Sequence, residues 1–253
     1  MKIKVLGCSG AEFPGFNPPA FLIDGKLLLD AGTIGSSLSE SAQWKIHNII
    51  VSHAHLDHIK GIPFLADNII IKNKRHRVTV AGIAAVLNIM KKNLLNDKLW
   101  PDFTMIPTRE NSVIKFSEIV AGSTTKLGGY KVTAYKVSHS VPAVGYVIED
   151  KKGKRLLYTG DTGPTDTIWE KAGKLHSSII EVSFPNRMEA LAIETGHLTP
   201  KLLKKEIAKM KIIPDQILIT HPKPQHRKSI NAEIRKLKMN NIRILKDGEV
   251  ITV

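Results

Sequence analysis

The stretch His53-Ala54-His55-Leu56-Asp57-His58 follows Ile49-Ile50-Val51-Ser52 without a break. Three imidazoles and a carboxylate crowded where an apolar strand opens into a loop are poor packing material. Beside a buried strand they need hydrogen-bond partners or a cation. Neutral imidazole and carboxylate oxygen suit zinc, manganese or iron, so the run is read as part of a metal centre. It cannot complete two coordination shells by itself, and further ligands are expected at other strand ends.

Three positions qualify. His139 closes a strand in Val137-Ser138-His139-Ser140, Asp161 follows Leu156-Leu157-Tyr158-Thr159-Gly160, and His221 ends Ile217-Leu218-Ile219-Thr220. Taken singly, each has an ordinary reading as a hydrogen-bonded histidine or an Asx turn. Their shared placement and their order after the histidine run make all three candidate ligands.

Outward from these sites the pattern is short apolar strands, Gly punctuation and a few amphipathic helices. Strands are expected at Ile3–Leu6, at Phe21–Asp24 paired with Lys26–Asp30 across Asp24-Gly25, and at Asn48–Ser52. A second group is expected at Tyr130–Ser138, Val144–Glu149, Lys154–Thr159 and Ile217–Thr220. Three-to-four spacing predicts helices at Ile83–Leu95, Lys201–Met210 and Lys228–Leu237. Thr199 and Pro200 supply an N-cap and a first-turn proline for the second helix. With no internal repeat or linker, residues 1–253 are expected to form one domain of mixed α and β structure.

The 42% apolar and 24% charged composition excludes a disordered chain. The lone Cys8 cannot pair internally and is expected to be a small buried residue, which suits a reducing cytoplasm. Val5-Leu6-Gly7-Cys8 has too short an apolar run for an export signal, and no run is long enough for a membrane span. A soluble, cytoplasmic protein is therefore expected. The net charge of +14 is uneven: residues 201–246 hold 13 Lys/Arg against 3 Asp/Glu. Such a segment can attract phosphates or RNA, although solvated helix faces often look the same. Lys72–Arg77 is basic without interleaved aromatics and is read as a solvated loop. Gly7-Cys8-Ser9-Gly10 lacks the Gly-Lys-Ser/Thr ending of a phosphate loop and is read as a turn near the site mouth.

His53-Ala54-His55-Leu56-Asp57-His58, His139, Asp161 and His221 resemble, in order, the metal motifs of the metallo-β-lactamase superfamily, over nearly the whole chain. That resemblance implies a four-layer αββα sandwich. It implies one divalent metal on His53, His55 and His139 and a second on Asp57, His58 and His221, with Asp161 between them. The ions would be zinc, with manganese or iron as alternatives. Asp30 resembles the aspartate that orients a ligand imidazole.

Within the superfamily, His55-Leu56-Asp57-His58-Ile59-Lys60-Gly61, Ser183-Phe184-Pro185-Asn186, Gly196-His197-Leu198-Thr199-Pro200 and Ile219-Thr220-His221-Pro222-Lys223-Pro224 resemble segments of class II 3′,5′-cyclic-nucleotide phosphodiesterases. The resemblance implies hydrolysis of cAMP or cGMP to a nucleoside monophosphate by metal-activated hydroxide. His197 would act on the leaving group beside Asp57 and the metals, and Glu181 would partner His197. His197 precedes a helix whose N-terminal N–H groups are expected to receive the phosphate. The alternatives are a tRNA 3′-processing endonuclease, another small-ester hydrolase such as a lactonase, and a nucleic-acid-binding protein without activity. Only 21 residues separate His139 from Asp161, too few for the RNA-clamping arm of the endonucleases. A small phosphodiester is therefore the expected partner, RNA the alternative; family analogy adds a homodimer.

Overall fold

Along nearly every central strand, alternate residues enter different cores, and this alternation sets the layers. In a computed structural model describing residues 1–72 and 75–253, the first sheet comprises β1 (Lys2–Gly7), β2 (Ala20–Ile23), β3 (Leu27–Leu29), β4 (Asn48–Ile50), β5 (Val78–Gly82) and β6 (Ile114–Glu118). The second comprises β7 (Thr124–Leu127), β8 (Tyr130–Lys136), β9 (Val144–Glu149), β10 (Arg155–Tyr158), β11 (Ser177–Glu181), β12 (Gln216–Thr220) and β13 (Ile242–Ile244). The last strand, β14 (Val250–Thr252), returns to the first sheet beside β1. The orders are β14-β1-β2-β3-β4-β5-β6 and β13-β12-β11-β10-β9-β8-β7.

Ile3, Val5, Phe21, Ile23, Leu27 and Leu29 face a central core shared with Tyr146, Ile148, Leu156, Tyr158, Ile179 and Leu218 of the second sheet. Leu6, Leu22, Leu28, Ile49 and Val51 point the other way, against the helices α1 (Glu40–Gln43), α2 (Leu56–Ile59), α3 (Gly61–Lys72) and α4 (Ala84–Asn93). Val147, Leu157, Ile180, Ile217 and Ile219 face α5 (Thr167–Lys171), α6 (Glu189–Thr195), α7 (Pro200–Ile207) and α8 (Arg227–Lys236). Three cores separated by two sheets make the four-layer αββα sandwich that the resemblance implied. Each fully buried Leu or Ile contributes roughly 1.5–3 kcal/mol. Tyr146 adds a polar tie between the sheets, its hydroxyl donating to the Val51 carbonyl at 2.7 Å.

The expected strands and helices are present, with ends shifted by at most three residues and Val144–Glu149 unshifted. Asp24 and Gly25 have φ of 47° and 72°, the pair of positive values of a type I′ turn, and the register pairs Ile23 with Leu27 across Asp24–Lys26. Sequence reading overlooked α1, α2, α3, α5 and α6, and the strands β5, β6, β7, β11, β13 and β14. Asn73 and Lys74, inside the basic run Lys72–Arg77, lie outside the described residues.

Topology then places the site. β3, β4, β5 and β6 are mutually parallel, as are β10, β11, β12 and β13. β8 runs antiparallel to β9, which runs antiparallel to β10, so β8 shares the direction of β10. Asp30, His53, His139, Asp161 and His221 all follow the C-terminal ends of such strands, where open α/β sheets form their crevices. At that end Val144 N–H donates to the Ser52 carbonyl at 3.1 Å, drawing the sheets together.

Candidate metal centre

Asp30 is the buried anchor of the cluster. It is fully buried with φ of 52°, a backbone geometry that Asp tolerates better than most residues. Its Oδ1 accepts from Ser52 N–H at 2.7 Å. Its Oδ2 accepts from Ser52 Oγ at 2.6 Å, Tyr158 OH at 2.5 Å and His58 Nδ1 at 2.7 Å. Because the Ser52 hydroxyl hydrogen goes to Asp30, His53 Nδ1 must be the donor in its 3.0 Å contact with Ser52 Oγ.

The second sheet repeats the device. Ser183 Oγ donates to Glu181 Oε2 at 3.0 Å, so His221 Nδ1 donates to Ser183 Oγ at 2.7 Å. His139 Nδ1 donates to the Gly196 carbonyl at 2.9 Å. With the proton of each ring held on Nδ1, the Nε2 lone pairs of His53, His58, His139 and His221 are free toward a common centre. His58 Nε2 is buried and lacks any hydrogen-bond partner among the described residues, the mark of an atom built for a ligand.

The spacing fits cations. Donors about 2.0–2.1 Å from a tetrahedral ion stand about 3.3 Å from one another. His55 Nδ1 lies 3.1 Å from His53 Nε2 and 3.2 Å from His139 Nε2. Asp57 Oδ2 lies 3.3 Å from His221 Nε2 and 3.9 Å from His58 Nε2. Asp161 Oδ2 stands between the two groups, 3.7 Å from His53, 3.4 Å from His58 and 3.3 Å from His221. His53, His55 and His139 thus form one set able to hold a metal ion, and Asp57, His58 and His221 another.

The electrostatics follow from crowding. Burial, reinforced by the neighbouring rings, holds the His53 pKa well below that of a free imidazole. Burial also opposes charge on His58, but Asp161 and Asp30 override it and raise that ring's pKa. His221 and His58 hold the Asp161 carboxyl well below the usual range against the cost of its burial.

Glycines admit the ligand loops. A Cβ on Gly32 would lie 1.9 Å from the Asp57 carbonyl oxygen, and one on Gly10 would lie 2.4 Å from that of His221. The Gly7–Gly10 turn therefore lies against the site, with Cys8 O accepting from His221 N–H at 2.7 Å.

His197 and Glu181 come together as the sequence suggested: Nδ1 and Oε1 are 2.8 Å apart. The His197 ring stacks on His221 with an interplanar angle of 20°, and one of its nitrogens lies within 4.8 Å of donor atoms of Asp161 and His221. Burial disfavours its charged form, but Glu181 overcomes that cost and raises the His197 pKa.

One expectation fails. The N-terminal donors of α7 are already used: Lys201 N–H goes to Asn186 Oδ1 at 2.7 Å and Leu202 N–H to Thr199 Oγ1 at 3.3 Å, while Pro200 has none. Thr199 caps the helix as expected, and the cap and Asn186 consume the groups assigned to phosphate. Sequence reading also gave no role to Ser52, Ser183 or Tyr158, which orient the ligands. Their only signal was proximity in sequence to the motifs. Away from the site, His76 Nε2 donates to the Ile46 carbonyl at 2.9 Å, and His176 Nδ1 accepts from Arg155 N–H.

Comparison with known proteins agrees with this geometry. Residues 28–221 match the family described as beta-lactamase superfamily domain. A probable 3′,5′-cyclic-nucleotide phosphodiesterase of Yersinia pestis is 26% identical over 78% of this chain and 62% of its own length, so the match leaves over a third of that relative uncovered. A ribonuclease Z of Archaeoglobus fulgidus is 23% identical over 94% of this chain and 92% of its own. The crystal structure of unliganded yeast PDE1 superposes with a TM-score of 0.86 at 18% identity, covering 100% of this chain and 99% of the other. No helix among the described residues is long and apolar enough to cross a membrane.

Proposed function

The chain belongs to the beta-lactamase superfamily, and on that premise we propose that it is a dinuclear-metal phosphodiesterase acting on 3′,5′-cyclic nucleotides. His53, His55 and His139 would hold one divalent ion and Asp57, His58 and His221 the other, with Asp161 shared; zinc suits this nitrogen-rich set, and manganese or iron are compatible. When bound, the ions supply Lewis acidity toward the phosphoryl oxygens and activate water near neutral pH.

The observation that carries the assignment to phosphodiesters is the buried His197–Glu181 pair packed on His221. Glu181 keeps a proton on Nδ1 of His197 and favours the charged ring. The ring can thus hold a second proton at Nε2 and deliver it to the departing alkoxide. Ser183 ties this pair to His221, so the acid and the ligand keep a fixed relation. Asp57, a partly exposed member of the ligand set, contributes a carboxylate at the substrate side. The relatives named phosphodiesterase support this reading. So does the hairpin of β9 and β10 between His139 and Asp161, which closes through Asp150–Lys154 without an inserted arm.

A ribonuclease acting on RNA 3′ ends is the second reading, favoured by the basic segment at residues 201–246 and by relatives named ribonuclease Z. A panel of cAMP, cGMP, a 2′,3′-cyclic nucleotide, a linear diester and pre-tRNA, run at matched metal, decides between them. Elemental analysis should find about two metals per chain, added Zn or Mn should raise the melting temperature of stripped protein, and chelation should abolish turnover. Pre-tRNA cleavage without cyclic-nucleotide turnover would favour the second reading. Full activity in chelator, with no metal bound, would defeat both.

A further inference from the structure

A groove of 710 Å³ runs between α8 and β13, away from the ligand set. Its walls carry Arg227, Lys228, Arg235, Lys238, Arg243 and Lys246, against Glu249 alone among acids. We propose that this groove binds the sugar-phosphate backbone of a single-stranded nucleic acid. The proposal goes beyond the catalytic reading and does not rest on it.

Two of the six cations are engaged within the fold, and four are not. Arg243 pairs with Glu249 at 2.8 Å, and Arg227 donates to the Leu245 carbonyl while lying over the Phe16 ring. The side chains of Lys228, Arg235, Lys238 and Lys246 are exposed and make no ion pair among the described residues. Glu249 is already committed, to Arg243 and to the Lys246 amide. Glu233, the acid of α8, turns to the other side and accepts from Asn186 N–H at 2.8 Å. Those four cations therefore concentrate repulsion that no ion pair among the described residues relieves, and an external anion would relieve it.

The shape selects among anions. From Lys228 to Lys238 the cations extend over ~15 Å, at about 1.5 Å of helix per residue. A small anion reaches only part of that track, whereas a nucleic-acid strand presents phosphates along all of it. The apolar floor is aliphatic (Ile234, Met239, Ile242, Ile244), with no aromatic ring on which a base could stack. Recognition would then fall on the backbone and be largely indifferent to sequence. An acidic protein would be expected to meet a core rich in aromatics and poor in charge, which this groove lacks.

The test is fluorescence polarisation of a labelled uridine 20-mer with the full chain at 50 and 200 mM salt. Four phosphate contacts predict a slope of log K against log salt of about −3. Lys228→Gln, Arg235→Gln, Lys238→Gln and Lys246→Gln combined should weaken binding by at least about tenfold and flatten most of that slope. A charge-matched control on and after α7 (Lys201, Lys204, Lys205 and Lys211 to Gln) should retain affinity within about twofold. Photocrosslinking of a 4-thiouridine oligomer to unmodified protein should label α8 and β13, which needs no variant to fold. Hydrolysis of bis(p-nitrophenyl) phosphate should not change in the groove variant, keeping this test apart from that of the catalytic site. Equal loss in both variants, salt-independent binding, crosslinks elsewhere, or competition by polyglutamate as effective as by RNA would each overturn the proposal.

Discussion

His197 and Glu181 form a buried pair 2.8 Å apart, and through Ser183 that pair is joined to His221, a candidate ligand. The geometry leaves His197 two roles, as proton donor or as an extra ligand, because one of its nitrogens lies within 4.8 Å of donor atoms of Asp161 and His221. As donor, His197→Ala should lower kcat by ~10²–10⁴ with metal content unchanged. Glu181→Gln should lower kcat in the same direction by less, with KM unaltered. Asp161→Ala should lose metal as well as rate. Elemental analysis of the three variants decides: an emptied site in His197→Ala would make that residue a ligand.

Asp30 touches no substrate, yet its Oδ2 gathers Ser52, Tyr158 and His58. Asp30→Asn removes the charge that fixes the His58 proton on Nδ1 and offers an N–H where three donors converge. Metal affinity should fall ~10–100-fold, the usual effect of losing such a partner. Competition against a chromogenic chelator measures it. Affinity equal to the unmodified protein would mean that His58 is oriented by packing alone.

Legibility followed the range of the interactions. The histidine run, the strand ends bearing His139, Asp161 and His221, and the Thr199 cap are local patterns and could be read directly. The layering could not, since alternation along one strand does not say which sheet it faces; the family resemblance supplied it. β11 was missed because Ser177-Ser178-Ile179-Ile180-Glu181 is buried throughout and has no alternating polarity to find. The Tyr158–Asp30 bond joins residues 128 apart, beyond any motif. The phosphate role given to the α7 N-terminus failed for the same reason. Asn186, which occupies Lys201 N–H, comes from a different loop.

Away from the site, Asp102 anchors the excursion between α4 and β6. Its carboxylate accepts from Lys91 Nζ and from Thr104 Oγ1 and N–H. Burial opposes the charge, but these donors outweigh it and hold the Asp102 pKa below the ordinary carboxylate value. A depressed folded-state pKa contributes stability that is present above the unfolded value, near ~3.9, and is lost as pH falls through the folded one. Asp102→Asn should cost about 1 kcal/mol at pH 7, kept small because Lys91 is half in solvent. That difference should shrink as pH falls below the unfolded carboxylate value and through the lower folded one. Urea melts of both proteins at pH 7, 4 and 2 check it; a gap independent of pH would assign the loss to packing instead.

Gly10 offers the sharpest test of how tightly the site is built. A Cβ there would lie 2.4 Å from the His221 carbonyl oxygen and 2.7 Å from its Nδ1, both in a residue held at φ of 65°. His221 cannot retreat, because Cys8 O holds its N–H and Ser183 holds its ring. In Gly10→Ala the turn must move instead, straining the Gly10 N–H to Pro222 O and His221 N–H to Cys8 O bonds. Overpacking of this kind typically costs about 1–3 kcal/mol. The ion held by Asp57, His58 and His221 should be lost first, leaving about one metal per chain, while His53, His55 and His139 keep theirs. Gly35→Ala is the control, since a Cβ there meets nothing within 4 Å and its φ is not positive. Metal analysis and thermal melts of both variants complete the test. If Gly10→Ala kept two metals and the parent melting temperature, the turn would be yielding and His221 would be placed by β12 alone.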